Sequence, residues 1–190
     1  MHWKNNYLIP SDTKGQVKLI CPYQWDKSKK QWKSKWDVIE YSPIAYTPQN
    51  INWLIKTIQD NLTIDMVAEK YLQGNLSNPL FGHCYHSTQT IFYLIDTDWL
   101  MPMRGLDAVG EYHWYLKDKT NQEIVDATVD QYSFFDYPPP YDNGKKTDWY
   151  SFKKAPIRKT LDLIQKIQSS SIRYTTQNPF DSYNTLTPFL

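Results

Sequence analysis

The sequence lacks the features that mark several large classes of protein. Its two cysteines, Cys21 and Cys84, can form one bridge at most, which excludes a small scaffold built on disulfides. No apolar run is long enough to span a membrane, so no membrane partner is expected. A formal net charge of +1 gives no general attraction to nucleic acid or to anionic lipid.

The first ten residues also lack the apolar core of a secretory signal peptide, because His2, Lys4 and Asn5 interrupt them. We therefore expect a cytoplasmic protein whose two cysteines remain reduced and unpaired. An unpaired thiol is free to act as a nucleophile.

Hydrophobic residues make up 41% of the chain and aromatic residues 16%, which favours a folded globule over a disordered chain. At 190 residues, the length suits one compact domain. We predict a single domain over residues 1–190, with N-terminal strands and a basic hairpin over 1–46, a core over 47–168 and an extended aromatic tail over 169–190.

Lysines alternate with tryptophans from Trp25 to Trp36, between predicted strands at 16–20 and 36–41. Such a stretch could bind single-stranded nucleic acid through phosphate contacts and base stacking. A solvated hairpin end whose tryptophans turn back onto the body fits the nearly neutral chain better. We therefore predict no nucleic-acid partner, and we read residues 1–15 as an irregular lead-in.

Apolar residues at helical spacing predict helices over residues 47–61, 63–74, 84–98 and 156–168. The first of these begins with Thr47, whose hydroxyl can cap free amides, followed by a proline at the first helical position.

Two strands, at 111–117 and 123–127, are joined by a polar turn and predict an antiparallel hairpin. The aromatic segment 132–144 contains three consecutive prolines and predicts a loop draped over the body. Together with the helices, these elements predict an α+β fold.

Three residues, in chain order, have the properties of a thiol nucleophile, its base and the acid that orients the base. Cys84 opens an apolar helical run in the segment Gly82-His83-Cys84-Tyr85-His86, where free backbone amides and the helix dipole favour a thiolate. His113 stands in one strand of the hairpin, and Asp126 leaves the other strand, across from it. These are the predicted catalytic residues.

Other residues are candidates to complete such a site. The backbone amide of Cys84 can serve as one donor of an oxyanion hole, and Asn78 is a candidate for the second. Gly82 is expected to turn the chain sharply and to leave room for a substrate carbonyl. Tyr112, Trp114 and the loop 137–141 are expected to line the cleft.

Each of the three residues also has an ordinary structural explanation: a small buried hydrophobe, a satisfied strand histidine and an acid that begins a turn. Their shared order, spacing and element types favour the catalytic interpretation. A metal site is the other rival, because His83, Cys84, His86 and His113 are all possible ligands. Adjacent helical residues point in different directions, and no second pair stands at ligand spacing, so we predict no metal and no cofactor.

Three motifs carry a resemblance to a known family. Gly82–Tyr85 gives Gly-His-Cys-Tyr at a helix start, and His113–Leu116 gives His-Trp-x-Leu in a strand. A third motif, Asp-x-Thr-x-x-Gln-aromatic at a strand end, is formed by Asp126, Thr128, Gln131 and Tyr132. The sequence resembles the transglutaminase-like branch of the papain-like cysteine enzymes, and within it small uncharacterised proteins of bacteriophages and bacteria. The likeness covers roughly residues 50–168.

The resemblance implies a Cys-His-Asp triad of Cys84, His113 and Asp126 on a papain-like core over 47–168. In this fold, the helix that carries the cysteine packs on an antiparallel sheet that carries the histidine and the acid. Ala127 stands where a proline commonly follows the acid, which affects the local turn more than the chemistry.

The wider superfamily includes peptidases, deamidases, acyltransferases and inactive binding modules. The resemblance therefore implies a cysteine-dependent hydrolase or acyltransferase that acts on an amide or isopeptide bond of a protein or peptide through a thioester. The alternative is a non-catalytic interaction protein with the same fold, phage-encoded and bound to a host protein in the host cytoplasm. A third hypothesis is a nucleic-acid-associated protein that uses the lysines of 27–35.

Overall fold

A computed structural model of the chain describes residues 8–10, 18–20, 23–26, 28, 31–34, 39–147, 152 and 156–175. The fold is α+β, as predicted. The helices in this part of the chain include α1 Pro48–Asn61, α2 Leu72–Ser77, α3 Cys84–Leu94 and α4 Arg158–Thr175. The strands there are β1 Leu8–Pro10, β2 Lys18–Ile20, β3 Tyr23–Asp26, β4 Gln31–Ser34, β5 Ile39–Tyr41, β6 Ile44–Ala45, β7 Ile95–Asp96, β8 Leu100–Leu106, β9 Tyr112–Asp118, β10 Ile124–Val125 and β11 Lys145–Lys146.

The first predicted helix is confirmed by α1. Thr47 accepts a hydrogen bond from the backbone N–H of Asn50 at 3.2 Å, and Pro48 is the first helical residue. Ile51, Leu54 and Ile58 form the buried face of α1. The cap, the proline and the apolar spacing therefore act as the sequence indicates.

The second predicted helix, 63–74, is wrong. Two 3-10 turns, Ile64–Met66 and Glu69–Tyr71, precede the short helix α2. Gly74 does not end a helix but lies inside α2, where a Cβ would come within 2.6 Å of the Phe81 ring. The glycine is required by this close packing, so its usual meaning as a helix end misled the prediction.

The strand β8 was not predicted, because Pro102 and Gly105 read as breakers. The backbone of Pro102 turns its polar side toward β11, where its carbonyl accepts from Thr147 N–H at 3.0 Å. Since β11 pairs with β8 over two residues only, the N–H that proline lacks costs little there. The strand can therefore lie in the sheet interior despite its composition.

The predicted hairpin is confirmed by the antiparallel pair β9 and β10, which belong to an antiparallel sheet of order β10-β9-β8-β11. Helix α3 packs against β9 on one side and against α4 on another, and α1 also contacts α4. The core between these layers contains Leu54, Phe92, Leu94, Trp114, Leu116, Phe152, Leu163 and Ile164. Trp114, which was expected to line the cleft, is instead buried in this core.

Helix α3 is buried from His86 to Leu94 rather than along a single stripe. Its polar side chains are paired inside the protein: Thr88 Oγ1 donates to Trp114 O at 2.9 Å, and Gln89 Nε2 donates to Phe152 O at 2.9 Å. These bonds remove the cost of burying polar groups and join the helix to the elements on both sides of it. The helix also ends earlier than predicted, since β7 begins at Ile95 and pairs in parallel with β6.

In the N-terminal region, the described residues lie mostly in strands. The lead-in prediction is wrong for β1, which pairs antiparallel with β2, and β2 pairs with β5 near the predicted strand positions. Pro10 lies at the end of an edge strand, where proline is tolerated. Strands β3 and β4 form a hairpin within the lysine-rich stretch, whose side chains lie outside the described part, as does Cys21.

At the other end, α4 begins at Arg158 and continues through 169–175, where an extended tail was predicted. Serine is only modestly poorer than alanine in a helix, so three serines did not end it. The remainder of the predicted tail, 176–190, is not described. Within the described residues, no helix combines the length and apolar character needed to cross a membrane.

Candidate active site

Cys84 is the first residue of α3, at the end of a tight turn. Gly82 has a φ of +83°, which confirms the sharp turn predicted there. The second expectation for this glycine is wrong, because a Cβ would lie 2.5 Å from Val67 Cγ1 and 2.9 Å from Tyr71 Cβ. The space beside Gly82 is therefore filled by the protein and is not left for a substrate.

The Cys84 side chain is partly exposed and faces the strand that carries the predicted base. Its Sγ donates to the Tyr112 carbonyl oxygen at 3.8 Å, and Tyr112 precedes His113 in β9. The first-turn amides of α3 have no partner within the helix and point toward its N-terminal end. The thiol therefore lies where a helix terminus favours negative charge.

His113 and Asp126 are in direct contact. His113 Nε2 lies 2.6 Å from Asp126 Oδ2, and both side chains are only 2% exposed. The register pairs Val125 with Leu116, so Asp126 stands one residue beyond the β10–β9 ladder and meets His113 diagonally. The hairpin thus brings acid and base together, as the sequence predicted, but from a position just past the strand.

Asp126 is held by further donors. Its Oδ1 accepts from the backbone N–H of Thr128 at 2.8 Å and from Thr128 Oγ1 at 3.0 Å, and its Oδ2 accepts from the Tyr141 hydroxyl at 2.8 Å. Burial opposes ionisation, but the hydrogen bond and charge of His113, followed by these donors, hold the pKa of Asp126 below its usual value. Asp126 is therefore a carboxylate that accepts a hydrogen bond from His113 Nε2.

The pKa of His113 is set by its burial and by its two partners. Burial lowers its pKa, but hydrogen bonds to Asp126 and Cys84, together with the charges of both, raise the pKa of His113 to about 10. Because Asp126 occupies Nε2, Nδ1 is the nitrogen left to face Cys84. The three residues predicted to form the site are thus brought together, with the imidazole between the thiol and the acid.

Aromatic rings enclose His113. The ring of Tyr132 meets it edge-on at 5.0 Å between centroids, and Tyr115 stacks on it at 6.2 Å. Tyr141 lies at 6.3 Å and belongs to the segment expected to line the cleft. Its actual role is to donate to Asp126, and this could not be deduced because the loop's path is set by contacts distant in sequence.

The path of that loop depends on two glycines, because a side chain at either position would collide with a neighbouring segment. A Cβ on Gly105 would lie 2.2 Å from Pro140 O, and Gly105 pairs with His113 across β8 and β9. A hydrogen bond of 3.3 Å from Tyr115 Oη to Tyr141 O also fixes the loop, and Gly144 lies directly beneath that hydroxyl. The chain is therefore close enough to the sheet for Tyr141 to reach Asp126.

Gln131 was recognised only as part of a motif, yet it touches the centre of the site. Its Nε2 lies 3.3 Å from His113 Nδ1 and donates to Thr128 O at 2.9 Å. Asn78, a candidate oxyanion donor, instead uses its amide N–H to bind Gln131 O at 2.9 Å. Asn78 therefore ties the loop before α3 to the turn after Asp126.

The two histidines that flank Cys84 pair with each other. His83 Nδ1 lies 2.8 Å from His86 Nε2, and both rings are buried. Burial, helped by the charge of Lys159, lowers the pKa of His83 to about 4; the same two causes and His83 lower that of His86 to about 3. Over the described residues, no three His, Cys, Asp or Glu side chains are grouped to hold a metal ion.

Comparisons with protein-family models, with curated proteins and with solved structures give no match for this chain. The geometry of the site is therefore the basis for assigning a function.

Proposed function

We propose that the protein is a cysteine-dependent hydrolase or acyltransferase that acts on an amide or isopeptide bond through a thioester on Cys84. The observation that carries the proposal is the buried His113–Asp126 pair, 2.6 Å apart at Nε2 and Oδ2, beside the Cys84 thiol, whose Sγ contacts the carbonyl oxygen of the residue that precedes His113. This is the arrangement in which a base takes the thiol proton and an acid fixes the base. It also supports the papain-like, transglutaminase-like core that the motifs imply.

In the proposed reaction, His113 Nδ1 takes the proton of the Cys84 thiol and the thiolate attacks the substrate carbonyl carbon. The C–N bond breaks as His113 returns the proton to the leaving amine, which leaves a thioester. Water, or an amine in the transfer reaction, then attacks the thioester while His113 again takes its proton. The acyl product leaves and the Cys84 thiol is restored.

Asp126 has a separate role in this scheme. It holds His113 Nε2 protonated and stabilises the imidazolium that forms in each half-reaction. Thr128 and Tyr141 keep it a carboxylate through their hydrogen bonds. No step requires a proton to move onto Asp126.

A protein or peptide is the proposed substrate class. Leu106 and Tyr112 pair across β8 and β9 beside the thiol and are both largely exposed, at 44% and 51%. The Arg104 guanidinium stacks over the Tyr112 ring at 4.1 Å and holds it at the surface. This gives the site an apolar edge that suits amino-acid side chains.

The proposal is tested by alkylation of Cys84 with iodoacetamide at about pH 6.5, followed by mass spectrometry of the labelled peptide. His113→Ala is expected to slow the reaction at least about tenfold, since it removes the group that accepts the thiol proton. Asp126→Asn is expected to slow it less, because the ring stays in place but loses its charged partner. His86→Gln serves as the control, since His86 is also a buried histidine but lies in α3. This variant is expected to leave the rate unchanged.

A non-catalytic interaction protein is the second candidate, and the same exposed edge at Leu106 and Tyr112 favours it. The two functions are separated by the alkylation experiment. If His113→Ala labels at the wild-type rate, the thiol is not coupled to the imidazole, and the binding function replaces the catalytic one.

A further inference from the structure

Gln131 lies in the 3-10 turn Val129–Phe134 and is buried beside the base. Its backbone carbonyl accepts from Asn78 Nδ2, and its side-chain Nε2 donates to the carbonyl oxygen of Thr128 at 2.9 Å. Both ends of the residue are thus fixed. The same Nε2 lies 3.3 Å from His113 Nδ1.

The orientation of this amide follows from the Thr128 bond. A backbone carbonyl oxygen only accepts hydrogen bonds, so the amide atom facing it must be the NH₂ group and not the oxygen. Turning the amide over would place two oxygens against each other in a buried site. The group that faces His113 is therefore an N–H donor.

A donor that faces Nδ1 favours the state in which Nδ1 has no proton. Nε2 carries its own proton toward the Asp126 carboxylate, so the ring paired with Gln131 is the neutral Nε2–H tautomer. Once Nδ1 accepts the Cys84 proton, two donors face each other and the Gln131 bond is lost. Asp126 and Cys84 favour the imidazolium, and Gln131 works against it.

We propose that Gln131 is a positioning residue that restrains the Cys84–His113 pair. Its amide N–H holds His113 Nδ1 as a hydrogen-bond acceptor and so opposes transfer of the Cys84 proton to that nitrogen. This inference rests on the proposed function. It assigns to Gln131 the opposite effect from Asp126 on the same ring.

The test is the Gln131→Met variant, which keeps the length of the side chain and removes the donor. Alkylation of Cys84 by iodoacetamide is measured at a pH where the wild-type rate still rises with pH. We expect the variant to react faster by about fivefold, which corresponds to the net worth of one hydrogen bond, about 1 kcal/mol. Gln131→Glu, whose carboxylate accepts from Nδ1–H, is expected to react at least as fast as Gln131→Met.

Gln89→Met is the matched control. Gln89 is another buried glutamine with a buried bond to a carbonyl oxygen, that of Phe152, and it lies in the same helix as Cys84. Its substitution costs stability for the same reason but does not touch the ring of His113. A rate increase in both variants would mean that loosening of α3, and not the His113 contact, exposes the thiol, which would overturn the inference.

Unchanged or slower alkylation in a Gln131→Met variant that unfolds cooperatively would also overturn it. Heteronuclear nitrogen NMR of wild-type protein labelled in glutamine and histidine needs no substitution. A coupling through the hydrogen bond between Gln131 Nε2 and His113 Nδ1 is expected above the pH at which Nδ1 loses its proton, and its absence there would refute the inference. His113→Ala, run in parallel, separates the outcomes: if it alone slows alkylation, the proposed function holds and only the role of Gln131 fails.

Discussion

Acid is expected to destabilise the protein through the His83–His86 pair. The two rings are 1% and 3% exposed and share one hydrogen bond of 2.8 Å, which needs one nitrogen as donor and the other as acceptor. A proton added to the acceptor nitrogen breaks that bond and places a charge in the core. Burial accordingly lowers the pKa of His83 to about 4 and that of His86 to about 3.

The sign and size follow from proton linkage. Both folded pKa values lie below about 6.5, the value in an unfolded chain, so as the pH falls the unfolded state binds protons first. The stability held by the neutral rings is complete above about pH 6.5 and is lost as the pH falls toward the folded values. At about pH 5, the loss is about 2 kcal/mol for each histidine, or about 4 kcal/mol for the pair. That is a large part of the roughly 5–15 kcal/mol typical of a domain.

His113 has the opposite sign and does not add to this loss. Its folded pKa is raised to about 10, so its contribution is complete below about pH 6.5 and is lost as the pH rises through about 10. Between about pH 7 and pH 5, above the range in which Asp126 titrates, acid instability should therefore come from the histidines that flank Cys84, and alkaline instability in part from the proposed base.

The assay is urea unfolding followed by tryptophan fluorescence at about pH 7, 6 and 5. The reference is a variant with His83→Asn and His86→Gln, which keeps polar side chains but cannot titrate in this range. We expect wild type to lose about 4 kcal/mol more than the variant between about pH 7 and pH 5. Equal losses in the two proteins would refute the argument, because other groups would then carry the pH dependence.

Two further predictions concern the loop over the acid. Tyr141→Phe removes the 2.8 Å hydrogen bond to Asp126. It is expected to lower the free energy of unfolding in urea by about 1–3 kcal/mol and to slow alkylation of Cys84. The control is Tyr137→Phe, which keeps its ring stacked on Phe135 and should change neither quantity. Gly105→Ala puts a methyl group within 2.2 Å of the Pro140 carbonyl oxygen and is expected to lower the free energy of unfolding by about 1–3 kcal/mol. The double variant with Tyr141→Phe should lose less than the sum of the two single losses. Strict additivity would show that the loop position does not depend on the glycine.

Local signals in the sequence predicted the elements that hold the site. The cap at Thr47, the hairpin turn after Asp118 and the helix start at Cys84 depend on residues close in sequence, and the structure places all three where the patterns indicate. The contact between His113 and Asp126 was predictable for the same reason, since a short hairpin brings its two strands together.

Other features depend on contacts that are distant in sequence and leave no local pattern. Gly74 and Gly105 read as breaks, but each lies within an element because another segment packs where a Cβ would be. Likewise, nothing near Gln89 in sequence reveals that the polar side chains of α3 are buried or that Thr160 Oγ1 donates to Gln89 Oε1 at 2.7 Å. Such residues are interpreted correctly only once their partners are known.

The loop residue Tyr141 shows why these distant contacts matter for chemistry. A carboxylate buried as deeply as Asp126 is stable only if donors replace the water it has lost. His113 supplies one hydrogen bond, Thr128 supplies two, and the fourth comes from Tyr141. In sequence, Tyr141 is about as distant from Asp126 as His113 is. Since the pKa of His113 is raised chiefly by that carboxylate, a loop that moved away would weaken the acid's hold on the base and thus the proposed activation of Cys84. The aromatic loop is therefore part of the electrostatic environment of the thiol, even though it does not contact the sulfur through any hydrogen bond seen among the described residues.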